Sequence, residues 1–404
     1  MNSRFLILTD QFPPEFFGGM ATHASNIARY LGHRHKVLVV TPRKQRDMHE
    51  KQPFKVCPAL TMRFPAFDSF NLLRVARRFA PDVIHVCTAG LAYIPLSRSY
   101  PTVTRVVGND FLRPWCGYNL PLRCILYRLP GKQTKTAVQK WETSIRKERV
   151  IEYLKESHAV VANSAWTKDR LIERGVHPDR VSVIVGGVDT ALFQPPANKR
   201  GIRAQLNLPA ESLVLLTAGN LIVKKGIDTV LKVVADLAPR WPSLRYVVAG
   251  DGEERERLQE RAADLGLGQR IRFAGRKDHA ELSLLYQAAD LYVQISQNET
   301  MGRTYFEAGA CGLPVIAARV EGTTSVVRDN LNGLLVSNPL DQAEIRSKLE
   351  LLLADETLRK RLGAEGLRMA REEFSWDRVG AAFERLLLAA AASPPHARIA
   401  SPPS

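Results

Sequence analysis

Apolar runs recur along the chain, separated by polar or amphipathic stretches. RFLILT (4–9), KVLVVT (36–41), VIHVC (83–87), residues 102–107, HAVVA (158–162) and VSVIV (181–185) read as strands. Short continuous runs rich in Val and Ile are what strands buried on both faces look like. Residues 20–31 and 71–79 have helical spacing and lie between strands. The second half repeats the pattern. Its strands are 213–218, 244–249, 271–274, 290–295 and 313–317, and its helices fall near 226–239, 253–265, 279–289, 302–311, 341–354 and 356–371. Alternation of this kind predicts open parallel sheets covered by helices. FQPPANKRG (193–201) carries two prolines and a polar run, which marks a linker. The expected architecture is α/β: two doubly wound, Rossmann-like domains, 1–193 and 194–373, facing a central cleft. An amphipathic helix over 374–392 and a disordered Pro/Ser-rich tail over 393–404 complete the chain.

Composition narrows the class. With 404 residues, 45% hydrophobic and 24% charged, the chain is neither a disordered polymer, nor a collagen, nor a small disulfide scaffold. The five cysteines (57, 87, 116, 124 and 311) are odd in number and have no C-x-x-C spacing, which suits reduced thiols in the cytoplasm. The N-terminal apolar run is too short for an export signal, and no segment approaches the ~20 apolar residues of a membrane span.

The net charge of +16 is uneven. Residues 1–200 hold 31 Lys+Arg against 15 Asp+Glu, and residues 201–404 hold 26 of each. The excess therefore lies in the first half and points to an anionic partner there. Residues 111–150 interleave Lys and Arg with Phe111, Trp115, Tyr118, Leu122, Leu126 and Tyr127. That mixture suits an anionic membrane surface, met peripherally, where a lipid-linked acceptor would be presented. The plainer reading is a core with a solvated basic rim. Nucleic acid is not favoured, because no RNA- or DNA-binding signature accompanies the charge.

Four segments could carry chemistry. NETMGRTYFEAGACGLPVIA (298–317) sets Glu299 and Glu307 eight residues apart and places Gly302 where a loop becomes a helix. A helix N-terminus there offers free N–H groups to a phosphate, with Arg303 and Thr304 in its first turn. LTAGNLIVKKGIDTVL (216–231) ends a strand at a glycine and presents Asn220, Lys224 and Lys225 before a helix, so that Lys225 could meet a diphosphate. TDQFPPEFFGGMATHASNIARYL (9–31) has Gly18 and Gly19 between a strand and a helix, allowing close backbone approach to a ligand. VVAGDGEERERL (247–258) is a similar turn. Each has a bland alternative: an acid on a wet helix face, a solvated lysine, or a plain turn.

Taken in order, these strings resemble the retaining glycosyltransferases of the GT-B fold, in the large family four. The resemblance runs through FPPEFFGG, PDVIH (81–85), VVANSAWTKDRL (160–171), GGVDTALFQP (186–195), GNLIVKKG (219–226), GDGEER (250–255), the 298–317 string, NLNGLLV (330–336) and FSW (374–376). It implies a nucleotide-sugar donor held by the C-terminal domain. Lys225 would contact the diphosphate, Glu307 the ribose and Glu299 the transferred sugar. Gly18–Gly19 would close over the donor, and Asp110 in TRVVGND would be catalytic. It implies no cofactor and no metal, and the chain has no D-x-D to hold one. The leaving phosphate would serve as base in a front-face mechanism. An epimerase or a phosphorylase of the same fold is the enzymatic alternative.

The chain departs from the family pattern at several positions. Asn220 stands where arginine is usual, Val107 where histidine is common, Ser325 where glutamate is, Glu321 where glycine is, and Gly186 where asparagine is. Asn220 removes a cation from the expected diphosphate site, for which Lys224 or Arg303 would compensate.

Overall fold

The computed structural model describes residues 2–15, 18–43, 51–61, 65–91, 99–108 and 147–393. Chain contacts divide it into two units: Met1–Ile184 with Val379–Ser404, and Val185–Arg378.

The described residues of the first unit form a seven-stranded parallel sheet. Its strands are β1 (Arg4–Leu8), β2 (Lys36–Pro42), β3 (Lys55–Leu60), β4 (Val83–Val86), β5 (Thr102–Val106), β6 (Ala159–Ala162) and β7 (Val181–Val183). They lie in the order β3-β2-β1-β4-β5-β6-β7. The second unit has β8 (Leu213–Ala218), β9 (Leu244–Ala249), β10 (Ile271–Gly275), β11 (Leu291–Gln294), β12 (Val315–Ala318) and β13 (Gly333–Val336), in the order β10-β9-β8-β11-β12-β13. Both sheets are doubly wound, with strand order reversing beside β1 in one and beside β8 in the other. A reversal leaves two neighbouring strands whose following loops diverge, and the crevice between those loops is where such sheets bind ligands.

Alternation explains the two faces of the second sheet. Val214, Leu216 and Ala218 pack into one buried cluster with Tyr286, Tyr292 and Phe306. Leu215 joins another on the opposite face, with Ile227, Leu231 and Val293. The helix Arg303–Ala310 is held close to the helix Glu356–Glu372 by small residues. A Cβ on Gly363 would lie 2.1 Å from the Gly312 carbonyl oxygen, and one on Gly309 would lie 3.1 Å from that of Gly366.

Two strands escaped the hydrophobic pattern. β3 reads KVCPAL and includes Pro58, which a sheet tolerates at its edge, where β3 lies. β13, at the other sheet's edge, begins with Gly333, where a Cβ would lie 2.4 Å from the Val315 carbonyl oxygen. The division between units also falls earlier than the expected 193/194. Val188 and Phe193 are buried in the second unit, the Phe193 ring lies 5.6 Å from that of Tyr286, and Ser283 Oγ donates to the Leu192 carbonyl at 2.6 Å. The proline run therefore follows segments already anchored there.

The helix Trp376–Ala392 runs from one unit's residues into the other's. In the second unit, Val188 N–H donates to the Phe374 carbonyl at 2.8 Å, and Gly187 lies where a Cβ would be 2.6 Å from the Trp376 ring. In the first unit, Glu384 accepts from Tyr30 at 3.3 Å and pairs with His35 at 2.8 Å. Among the described residues, no helix is long and apolar enough to cross a membrane.

Candidate active site

The loops after β8 and β11 meet at the second sheet's reversal. The β8 loop turns through Gly219 (φ 143°) and is tied down at Leu221, whose N–H donates to the Asp251 carbonyl at 2.9 Å and whose carbonyl accepts from Glu254 at 3.1 Å. It ends at Gly226 (φ 68°), where a Cβ would lie 2.0 Å from the Ile295 carbonyl oxygen. Only glycine lets the two loops approach so closely. The result is that Lys225 Nζ lies 2.6 Å from Glu299 Oε2, with both side chains mostly buried.

Gly302 caps the helix Arg303–Ala310 in a left-handed conformation, φ 83° and ψ 77°. A Cβ there would strike the Tyr305 ring at 2.2 Å. The glycine thus admits Tyr305 beneath the helix start, and the cap provides no side-chain hydrogen bond.

Glu307 is 5% exposed, so it does not lie on a wet helix face. A buried carboxylate needs partners. Arg303 Nη2 lies 3.0 Å from one of its oxygens, and the Tyr286 hydroxyl donates to the other at 3.0 Å. Burial, and then the Glu307 charge, push the Tyr286 hydroxyl well above its ordinary value, so it stays a donor. The Thr304 carbonyl lies within 3.4 Å of the same hydroxyl.

Gln294 completes the site beneath Lys225. With its amide oriented to satisfy its neighbours, Nε2 donates to the Tyr292 hydroxyl (2.8 Å) and the Ala218 carbonyl (3.1 Å). Its Oε1 then accepts from Ser296 Oγ (3.1 Å) and Lys225 Nζ (3.3 Å). The sequence reading missed Gln294, Tyr286 and Tyr292. The signal was an amide closing an otherwise apolar strand, LYVQ.

The structure therefore brings together Lys225, Glu299, Gly302, Arg303, Thr304 and Glu307. Asn220 is on the β8 loop but exposed, as is Lys224. Gly18 and Gly19 lie in the first unit, at the start of the helix Gly19–Gly32 that follows β1. Gly18 has an ordinary φ of −76°, and a Cβ there would make only normal contact. Asp110 and nearly all of 111–150 lie outside the described residues.

The strands flanking the first sheet's reversal carry a different set of buried groups. His85 on β4 donates from Nδ1 to the Val103 carbonyl (3.1 Å), which leaves its Nε2 to accept from His23 Nε2 at 3.3 Å. The Phe383 ring packs on both imidazoles. Burial lowers both imidazoles, His85 to about 4, so the pair is neutral. Among the described residues, His23, His85 and Cys87 place ligating atoms within 4.8 Å of one another. The buried Arg105 guanidinium acts on all three groups, a positive charge that disfavours a cation among them.

Comparison with known proteins places the chain in a family. Residues 17–192 match the family model "Glycosyltransferase Family 4", and 198–369 match "Glycosyl transferases group 1". A D-inositol 3-phosphate glycosyltransferase of Acidothermus cellulolyticus is 30% identical over 389 residues, 89% of this chain and 83% of that protein. This chain belongs to the group 1 glycosyltransferases. A like-named protein of Streptomyces bingchenggensis is 38% identical over 235 residues. There, as in two Salinispora relatives, the match spans about half of the relative's length, 51–55%. Solved structures show the group's two-domain GT-B fold. The sucrose-phosphate synthase of Thermosynechococcus elongatus superposes with a TM-score of 0.75 over 95% of this chain and 98% of its own, at 22% identity. Anabaena HepE, solved with UDP and glucose, superposes at 0.73 over 96% and 100%, at 20% identity. For this family member, then, the two doubly wound α/β units expected from the sequence are the units observed.

Proposed function

We propose that this protein is a retaining, metal-independent glycosyltransferase. It would move a hexose-type sugar from a UDP- or GDP-sugar to a hydroxyl of a glycan or lipid-linked acceptor. The observation that carries the reading is the meeting of Lys225 and Glu299 at the second sheet's reversal, beside a helix that starts on an uncapped glycine.

The chemistry follows from charge. Breaking the bond between the anomeric carbon and phosphate leaves negative charge on the diphosphate. Lys225 and the free N–H groups of the helix at 303 are placed to stabilise that charge as it develops. The leaving phosphate oxygen takes the acceptor hydroxyl's proton, and the acceptor oxygen bonds the anomeric carbon on the face just vacated. The anomeric configuration is thereby kept. In the free protein Lys225 rests on Glu299, and donor binding would draw it to the diphosphate, leaving Glu299 for sugar hydroxyls. Glu307 keeps lone pairs for ribose hydroxyls beyond those used by Arg303 and Tyr286. Arg303 would also bring the cation that Asn220 does not.

The excess basic charge of residues 1–200 supports an anionic acceptor or membrane surface met by the first unit. The acceptor printed in the relatives' names, an inositol phosphate, is such an anion and stands as the second reading. The primary test is a calorimetric panel of UDP- and GDP-sugars with EDTA present. Binding of one donor, turnover with acceptor and an unchanged anomeric coupling in the product support the proposal. Absence of donor binding, or an inverted product, rejects it. Donor conversion without acceptor would indicate an epimerase, and a pyridoxal absorbance a phosphorylase.

A further inference from the structure

Glu321 is a carboxylate that the mechanism above does not use. It lies past the carboxyl end of β12, the strand next to β11, so its turn borders the Glu299 loop. The two turns are joined: Gly322 N–H donates to the Glu299 carbonyl at 3.0 Å, and Asn298 Nδ2 donates to Glu321 Oε1 at 3.3 Å. Glu321 holds a left-handed backbone, φ 40°, a conformation that glycine adopts with far less strain. A long charged side chain kept in such a turn points to a use for that side chain. Its Oε2 is shut away from solvent and makes no well-formed hydrogen bond among the described residues, while the Glu299 backbone N–H acts on the carboxylate as a whole. Burial, and the Glu299 charge beyond it, push the carboxyl above its ordinary value, while Asn298 and Lys224 act in the opposite direction. The groups around it are thus the Glu299 carboxylate and backbone N–H, Asn298 and the exposed Lys224, with Lys225 committed to Glu299.

We propose that Glu321 reads the transferred sugar: its Oε2 accepts a hydrogen bond from a hydroxyl of a neutral hexosyl group, and its charge rejects a sugar bearing a carboxylate. The assignment rests on the donor-site reading, which puts the sugar at Glu299. When the diphosphate draws Lys225 away, Glu299 and Glu321 remain as two acids beside the sugar. A hydroxyl satisfies the orphaned oxygen. A uronosyl carboxylate would instead add a third negative charge at short range, where like charges are strongly discriminating.

The experiment compares dissociation constants for UDP, UDP-glucose and UDP-glucuronate, and for GDP, GDP-mannose and GDP-mannuronate. It uses the wild type, Glu321→Gln and Glu321→Gly, with melting temperatures confirming that each folds. The wild type is expected to prefer the neutral sugar over the uronosyl donor of the same base by about tenfold or more. In both variants the preference should shrink to about threefold or less, with the free nucleoside diphosphate bound as in wild type. Glycine suits φ 40°, so that variant guards against a folding artefact of the amide. An unchanged preference in both variants, or a wild type that binds uronosyl donors as tightly, overturns the role of Glu321 alone. Failure of every nucleoside diphosphate to bind overturns the donor-site reading, and this assignment with it.

Discussion

Beside the reversal of the first sheet, His85 and His23 share a hydrogen bond out of reach of water, packed against the tilted Phe383 ring and held neutral. At the reversal of the second, Lys225, Glu299, Arg303 and Glu307 are paired as ions, and the lysine and arginine remain partly open. The topology is the same; the polarity is opposite. A doubly wound sheet creates a crevice, but side chains decide what chemistry is built beside it. Here the buried histidine pair ties the C-terminal helix into the first unit through Phe383, and the charged reversal is where the proposed donor diphosphate would bind.

The sharpest way to break the comparison is to remove charge from the open reversal. Lys225→Ala should cut sugar transfer by about a hundredfold to a thousandfold, because one preorganised electrostatic donor is lost, with some fall in melting temperature from the unpaired Glu299. Steady-state rates and thermal melts check this; a rate near wild type would mean that the paired ions are structural.

The mirror experiment disrupts the buried histidine pair. His85→Ala removes a buried ring packed against Phe383 and leaves the His23 donor without its acceptor. It should cost about 2–4 kcal/mol of stability by denaturant unfolding. Nucleoside diphosphate binding to the residual folded protein should be unchanged.

Acidity separates the two reversals more gently. The His85 value is lowered from its ordinary 6.5 to about 4. Between those values the folded state binds fewer protons than the unfolded, so stability rises with pH across that window. The contribution is complete above about 6.5 and is lost as pH falls towards about 4. Melting temperature should fall over this range, and a His23→Phe/His85→Phe double variant should show a flatter profile. An identical pH profile in the double variant would assign the acid sensitivity elsewhere.

The smallest effects concern the missing arginine at 220. Arg303→Ala should weaken donor binding about tenfold, because a partly buried, charge-assisted partner is lost. Lys224→Ala should change it by less than about twofold, since Lys224 is exposed and screened. Wild-type binding in both variants would show that nothing replaces the missing cation.

Much of this site was readable along the chain. The glycines at 219, 226 and 302 marked the loops, and Glu299, Glu307 and Lys225 stood in strings whose order resembled a family. Gln294 was not legible because a buried amide in LYVQ looks like any other strand position until Lys225 is placed above it. Glu321 was visible as a departure but had no neighbours until β12 was set beside β11. The division of chain contacts falls earlier than the proline run for a similar reason. Prolines announce a break in regular structure, whereas a unit ends where packing ends, and Phe193 packs backwards onto Tyr286.

By itself the sequence determined the alternation of buried strands with amphipathic helices, and hence two parallel doubly wound units, because periodicity and residue type act locally. It also determined that the net charge resides in residues 1–200. Only the tertiary structure decided that Lys225 meets Glu299 across 74 residues of chain, that Glu307 is buried and paired, and that His23 and His85 are neutral partners. Strand order and close glycine contacts bring those groups together, and proximity sets their charge and their freedom to act.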